Sequence, residues 1–190
     1  MNQKEALGIL DQAGARLEGH FRLTSGRHAA VYMQCGKVFQ HAGFSETLCK
    51  ELASRFSNID AVIGPAVGAV IMSYEVSRHL GCRNLFTERE NGVMTLRRGF
   101  GLKPGERVLV VEDTVTTGGS VKETIAVCRE HGADVAGVGS VVDRTGGGNP
   151  FDVPFESLLQ IAIPSWTPEE CPLCAEGTIP CVKPGSRPGL

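Results

Sequence analysis

Apolar residues along this chain follow two rhythms. Short unbroken runs such as Ala61-Val62-Ile63 and Val108-Leu109-Val110-Val111 are separated by stretches whose apolar positions recur every three or four residues. Unbroken runs suit strands covered on both faces, and their alternation with helices predicts an α/β fold with a mainly parallel sheet flanked by helices. Strands are expected at Ala61–Ile63, Asn84–Glu88, Gly92–Arg98, Arg107–Glu112, Val135–Val142 and Leu158–Ile163. Helices are expected at Val70–Leu80, closed by Gly81, and at Ser120–His131, closed by Gly132. The dipeptide Asn91-Gly92 predicts a tight hairpin. Ahead of this core, the spacing predicts helices over Glu5–Leu17 and Gly43–Phe56, with two extended pieces in Phe21–Gln34 around Ser25-Gly26-Arg27. Beyond Pro164, Thr167-Pro168-Glu169-Glu170 has the form of a helix start, with Thr as N-cap and Pro at the first helical position. The whole chain, 1–190, is expected to be one domain in which 1–40 and 164–190 are additions around the α/β core.

Composition narrows the function classes. Of 190 residues, 42% are hydrophobic and 21% charged, too rich in core-formers for a disordered chain. The 19 basic and 21 acidic residues leave a formal charge of −2, which offers no broad footprint for a nucleic-acid backbone. No window approaches the roughly 18–20 apolar residues that span a bilayer. Met1–Glu5 lacks the pattern of a secretory signal, so neither nucleic acid nor membrane is an expected partner and a cytoplasmic location is. Seven cysteines are an odd count; Cys35, Cys49, Cys82 and Cys128 read as small buried hydrophobes.

Candidate chemistry concentrates in Arg107–Ser120. An apolar strand delivers two acids, Glu112 and Asp113, then a loop rich in Thr and Gly, and a helix starts at once. Gly118 and Gly119 allow close backbone approach, and the free N–H groups of a helix's first turn favour a phosphate. Ser120-Val121-Lys122-Glu123 has the form of a capping box. Adjacent carboxylates repel and need donors or a cation, which ribose hydroxyls and Mg²⁺ would supply. A phosphorylated sugar satisfies both halves of the loop. Neither a G-x-x-x-x-G-K-[ST] loop nor a G-x-G-x-x-G turn after a strand is present.

Val108–Ser120 (VLVVEDTVTTGGS) resembles the 5-phosphoribosyl-1-diphosphate (PRPP) signature of type I phosphoribosyltransferases. Further segments narrow the resemblance to the orotate phosphoribosyltransferase family: Phe21–Val38, Ile63–Val70 (IGPAVGAV), Phe86–Phe100, Val141–Arg144 (VVDR) and the tail Val182–Arg187. It implies the type I phosphoribosyltransferase fold with a small N-terminal hood. It also implies transfer of a phosphoribosyl group from PRPP to orotate, giving orotidine 5′-monophosphate and diphosphate in pyrimidine (UMP) biosynthesis. Mg²⁺ is the implied cofactor, held mainly by PRPP and not directly by protein, and a homodimer is the implied assembly. Carried over, PRPP binding falls on Glu112, Asp113, Thr114, Val115, Thr116, Thr117, Gly118, Gly119 and Ser120. The acids face the ribose, and Thr116–Ser120 hold the 5′-phosphate. Orotate binding falls on Thr116, Arg144 and Tyr32, and the catalytic positions are Asp113 and Arg89.

Alternatives accompany several of these residues. Tyr32 reads equally as a core aromatic, Arg144 as a surface arginine, Arg89 as a solvated salt-bridge partner between two Glu, and Gly64–Gly68 as a plain strand-to-helix turn. The chain departs from many members at Thr24, at Val67-Gly68 and in the hairpin 88–92, where only Arg89 is basic. Cys171-Pro172-Leu173-Cys174, followed by Cys181, reads as half a zinc site or a redox pair. A tetrahedral site needs four ligands, and three Cys without a nearby His fall short within one chain. Transfer to a purine or uracil, or a regulatory protein using the loop as a PRPP sensor, are the other functions to separate.

Overall fold

Alternation inside Val108–Val111 decides the layering of the molecule. Val108 and Val110 pack with Val121, Ile125 and Cys128 on one face of the sheet, while Leu109 and Val111 pack with Leu48, Leu52, Met72 and Val76 on the other. All four residues of the run are fully buried. Each such side chain contributes about 1.5–3 kcal/mol of burial, so the strand is fixed from both sides.

The computed structural model describes residues 1–23 and 25–184. Thr24 and the tail residues Gly185-Ser186-Arg187, both used in the family comparison above, lie outside the described residues. The elements in chain order are α1 (Gln3–Gln12), β1 (Arg16–Arg22), β2 (His28–Met33), α2 (Ala42–Ala53), β3 (Ala61–Pro65), α3 (Val70–Leu80), β4 (Arg83–Glu90), β5 (Val93–Leu96), β6 (Arg107–Val115), α4 (Gly119–Glu130), β7 (Asp134–Asp143), β8 (Phe155–Gln160) and α5 (Pro172–Glu176). One six-stranded sheet has the order β5-β4-β3-β6-β7-β8, and β1-β2 form a separate antiparallel pair. Within the large sheet only β4–β5 is antiparallel. The α/β fold with an N-terminal hood is therefore as expected. Among the described residues no helix is long and apolar enough to cross a membrane.

Strand order creates the site. The connection β3–α3–β4 runs toward one edge and β6–α4–β7 toward the other, so the order reverses between β3 and β6. Loops leaving these neighbouring strands diverge and open a crevice at their carboxyl ends.

Four local expectations are corrected. The first helix stops at Gln12, not Leu17, because Gly14 turns with φ 64° and Arg16–Arg22 is a strand. Leu158–Ile163 is displaced: β8 runs from Phe155 to Gln160 alongside β7. Thr167-Pro168-Glu169-Glu170 forms a turn, with Thr167 Oγ1 accepting from the Glu170 N–H, and the helix begins only at Pro172 behind Cys171. Ser120–Glu123 is no capping box, since α4 starts at Gly119 behind Gly118. The Asn91-Gly92 hairpin forms as expected, both residues at positive φ between the paired Glu90 and Val93.

Hood and tail, expected as separate additions, are joined to each other. The Arg22 N–H donates to the Val182 carbonyl at 2.8 Å and the Val182 N–H to the His20 carbonyl at 2.9 Å. His28 and Trp166 exchange backbone hydrogen bonds of 2.8 and 2.9 Å.

Gly64 is where β3 passes closest to its neighbours. A Cβ there would lie 2.8 Å from Ala69 Cβ, 3.0 Å from the Ala69 carbonyl oxygen and 3.2 Å from that of Val111. We expect Gly64→Ala to destabilise the fold by about 1–3 kcal/mol, read as a drop of several degrees in Tm. An unchanged melting curve would show that the β3–β6 contact has slack the geometry denies.

Candidate active site

The carboxyl ends of β6 and β7 converge with the hood on a cleft of about 930 Å³, within the range of small-molecule sites. Its walls include Tyr32 and Cys35 from the hood, Glu112–Val121 from β6 and α4, Arg89 and Glu123, Arg144 and Thr145 after β7, and Ser165 from the tail. Nearly every residue assigned by motif meets here. A shallower depression of about 400 Å³ around Met1, Lys50 and Glu51 brings no comparable chemistry together.

Glu112 and Asp113 sit where the strand leaves the core. Burial pushes both carboxyls above the ordinary carboxylate range, and for Glu112 the neighbouring Asp113 charge adds to the rise. Backbone N–H donors offset this only in part: Asp113 N–H lies 3.3 Å from Glu112 Oε1, and the Thr114 N–H favours Asp113. Among the described residues neither acid has a cation in salt-bridge contact. Gly68 lies against the pair, with its Cβ position 3.6 Å from Asp113 Oδ2.

Past the acids the loop changes character. Thr114 donates its hydroxyl to Cys35 Sγ at 3.1 Å, and Val115 is buried in the core, so these two offer a ligand backbone only. Thr116 and Thr117 are exposed. Gly118 adopts φ 73°, and a Cβ there would lie 2.7 Å from the Phe151 ring. No side chain caps α4, so its first N–H groups face the cleft unclaimed. A buried Thr87–Thr124 hydroxyl contact of 3.0 Å ties the same helix to β4.

Arg144 follows β7, its backbone N–H donating to the Val115 carbonyl at 2.8 Å. Among the described residues its buried Nε has no partner, and burial depresses its basicity. Asp143, which the motif reading missed, shapes this turn: it accepts from the Thr145 N–H at 2.7 Å and faces Gln160 Nε2 at 3.3 Å. An acid ending a buried strand just before an arginine was the available signal. Tyr32 is half-buried between hood and cleft. Its ring lies 5.9 Å from that of Phe21, and it also lines the cleft, its phenol pushed up by burial and then by Asp113. The Cys35 thiol is pushed up to about 12, first by burial, leaving it no nucleophile.

Every basic residue of the hairpin is neutralised. Arg89 pairs with Glu123 at 2.5 Å, Arg97 with Glu90 at 3.1 Å and Arg98 with Glu88 at 2.9 Å. Arg89 reaches the cleft wall, yet its guanidinium is held by Glu123 and the Gly92 carbonyl.

Comparison with known proteins fits this arrangement. Residues 44–167 match the model of the phosphoribosyl transferase domain family. The chain is 57% identical over 189 residues to the orotate phosphoribosyltransferase of Pelotomaculum thermopropionicum, covering 98% of this chain and 99% of that one. It is 55% identical over 181 residues to the orotate phosphoribosyltransferase of Thermotoga maritima, covering 94% and 96%. Among solved structures, orotate phosphoribosyltransferase from Aeropyrum pernix superposes with a TM-score of 0.67 at 27% identity, over 81% of this chain and 92% of that one. Adenine phosphoribosyltransferase from Thermoanaerobacter pseudethanolicus reaches 0.61 at 16% identity, over 69% and 88%, a likeness of fold alone.

The raised carboxyls have a consequence for stability. Each binds its proton more tightly in the folded chain than in the unfolded one, so folded stability falls as pH rises from the ordinary carboxylate pKa through the raised one. Glu112→Gln should therefore raise the ligand-free Tm by roughly 2–4 °C near neutral pH, and the gain should shrink toward acid pH. A gain independent of pH, or a loss, would contradict the assigned desolvation.

Proposed function

Since the chain belongs to the phosphoribosyltransferase family, among its orotate phosphoribosyltransferases, we propose that it transfers the 5-phosphoribosyl group of PRPP to orotate in the cytoplasm, on the way to UMP. The observation that carries this reading is the segment 112–120 itself. Among the described residues, one end presents two carboxylates without a cation in salt-bridge contact, and the other a helix N-terminus with no side-chain cap. The two ends suit the hydroxyls and the 5′-phosphate of one phosphorylated ribose. Residues 1–190 act as a single catalytic domain.

Each residue then has a task. Glu112 and Asp113 accept hydrogen bonds from the ribose hydroxyls, and their negative charge lies beside the ring as positive charge develops at the anomeric carbon. Thr116 and Thr117 hydroxyls and the N–H groups from Gly118 to Ser120 hold the phosphate, with Gly118 bringing the backbone near. Mg²⁺, carried by the diphosphate, would neutralise the leaving group; the acidic pair fits a site that receives such a cation. Arg144 pairs with the anionic base, its planar guanidinium matched to a carboxylate, while Tyr32 covers the ring and Thr116 borders it. Arg89 exchanges Glu123 for the diphosphate. Catalysis is positioning and charge stabilisation, with no covalent intermediate on the protein.

Loss of orotate absorbance on adding PRPP and Mg²⁺ tests the reaction. We expect Asp113→Asn to lose about 10²–10³-fold in kcat, the size of one lost electrostatic contact. Arg144→Ala should lose as much in kcat/KM for orotate while still binding PRPP in calorimetry. Turnover with adenine or uracil in place of orotate would reassign the base, and wild-type kinetics in Arg144→Ala would remove that residue from the site.

An exposed apolar face supports a self-assembled form. Ile71 and Tyr74, three residues apart on α3, are 54% and 59% exposed, and Val67 just before the helix is 85% exposed. We assign this apolar face to a second copy of the chain. Sedimentation should give twice the chain mass, and Tyr74→Glu should shift the protein to monomer; a monomeric wild type would refute the assignment.

A further inference from the structure

Four metal-type donors from opposite ends of the chain meet between hood and tail. Ligand atoms of His20, His28, Cys171 and Cys174 all lie within 4.8 Å of one another. His20 and His28 come from β1 and β2, whereas Cys171 and Cys174 flank the first turn of α5. Three of the four are buried, in a region distant in sequence from the PRPP loop. The missing ligands of the Cys-x-x-Cys pair are thus histidines more than 140 residues upstream, which is why spacing along the chain does not reveal them.

Distances decide what this cluster suits. A tetrahedral Zn²⁺ with Zn–N of about 2.0–2.1 Å and Zn–S of about 2.3 Å sets its donors roughly 3.3–3.8 Å apart. Cys171 Sγ lies 3.5 Å from His20 Nε2, Cys174 Sγ 3.6 Å from the same atom and 3.2 Å from His28 Nδ1. The two ring nitrogens are closer, at 2.9 Å, with rings edge to face. His20 Nδ1 is 3.1 Å from the Ile179 carbonyl. Donation there puts the proton on Nδ1 and leaves Nε2 as a ligand lone pair, the outer hydrogen bond that ligating histidines usually make. Cys181 Sγ stands just outside, 3.8 Å from His28 Nε2.

We propose that His20, His28, Cys171 and Cys174 form a structural Zn²⁺ site that staples the C-terminal tail to the N-terminal hood. Two thiolates and two imidazoles in tetrahedral array favour Zn²⁺ over hard, oxygen-seeking ions such as Mg²⁺. All four positions are filled by protein, so the ion has a structural role and no open site for chemistry. The staple reinforces the backbone pairing of His20 with Val182 and of His28 with Trp166. It thereby steadies the hairpin that carries Tyr32 to the cleft.

Metal analysis of the purified full chain, expressed in zinc-supplemented medium, tests this directly. We expect about one equivalent of zinc per chain, retained through dialysis and also present in Cys82→Ser. Cys174→Ser, altered at the exposed ligand, and His28→Ala should bind far less. Replacement by Co²⁺ should give the intense visible bands of a tetrahedral thiolate site. Removing zinc with a strong chelator should lower Tm by several degrees, and Zn²⁺, but not Mg²⁺, should restore it. Wild-type protein that is metal-free after zinc supplementation, or that carries a Cys171–Cys174 disulfide in place of the ion, would overturn the proposal. So would a Cys174→Ser protein that keeps its full metal content.

Discussion

Glu112 and Asp113 leave the core side by side, at the end of a strand buried on both faces, and among the described residues no cation is in salt-bridge contact with them. Burial holds both carboxyls above the ordinary range, and the Asp113 charge adds to the rise at Glu112. Much of the surrounding structure makes that arrangement possible. The alternation of Val108–Val111 fixes β6 in both halves of the core, and Gly64 lets β3 and its loop approach. The reversal of strand order then opens space above the acids instead of covering them. A ligand that brings hydroxyl donors and a cation relieves the repulsion, so binding and the chemistry of phosphoribosyl transfer draw on the same strained pair.

Electrostatic isolation extends beyond the acids. Arg144 stands at the other side of the cleft with a buried Nε that has no partner among the described residues, while the basic residues of the hairpin are each paired with a glutamate. Among the described residues Arg144 thus faces the cleft without a carboxylate partner, available to an anionic base, while Arg89 is held against Glu123. Asp143 does not neutralise Arg144, because its oxygens engage Thr145 and Gln160.

The parts of this account written in local sequence were legible from it. The unbroken apolar run Val108–Val111, the Asn91-Gly92 turn and the acid pair followed by Thr and Gly each depend on neighbours in the chain. What stayed hidden depends on distant partners. Gly14 ends the first helix early because Ala15 and the strand after it belong to the hood, with Gln34 N–H donating to the Ala15 carbonyl. Glu123 looked like a cap and is instead the partner of Arg89 across 34 positions. His20 and His28 carry no recognisable motif, and only the folding of the tail onto the hood brings them to Cys171 and Cys174.

Burial holds the paired carboxyls above the ordinary range until a phosphorylated ribose with its cation arrives to favour their charged forms. Titrating Mg²⁺-PRPP into the protein calorimetrically, at one near-neutral pH in two buffers of different ionisation enthalpy, tests it most directly. Binding should release protons, so the observed heat should differ between buffers, and Glu112→Gln should reduce that difference. Binding heats identical in both buffers, or no binding at all, would contradict the account.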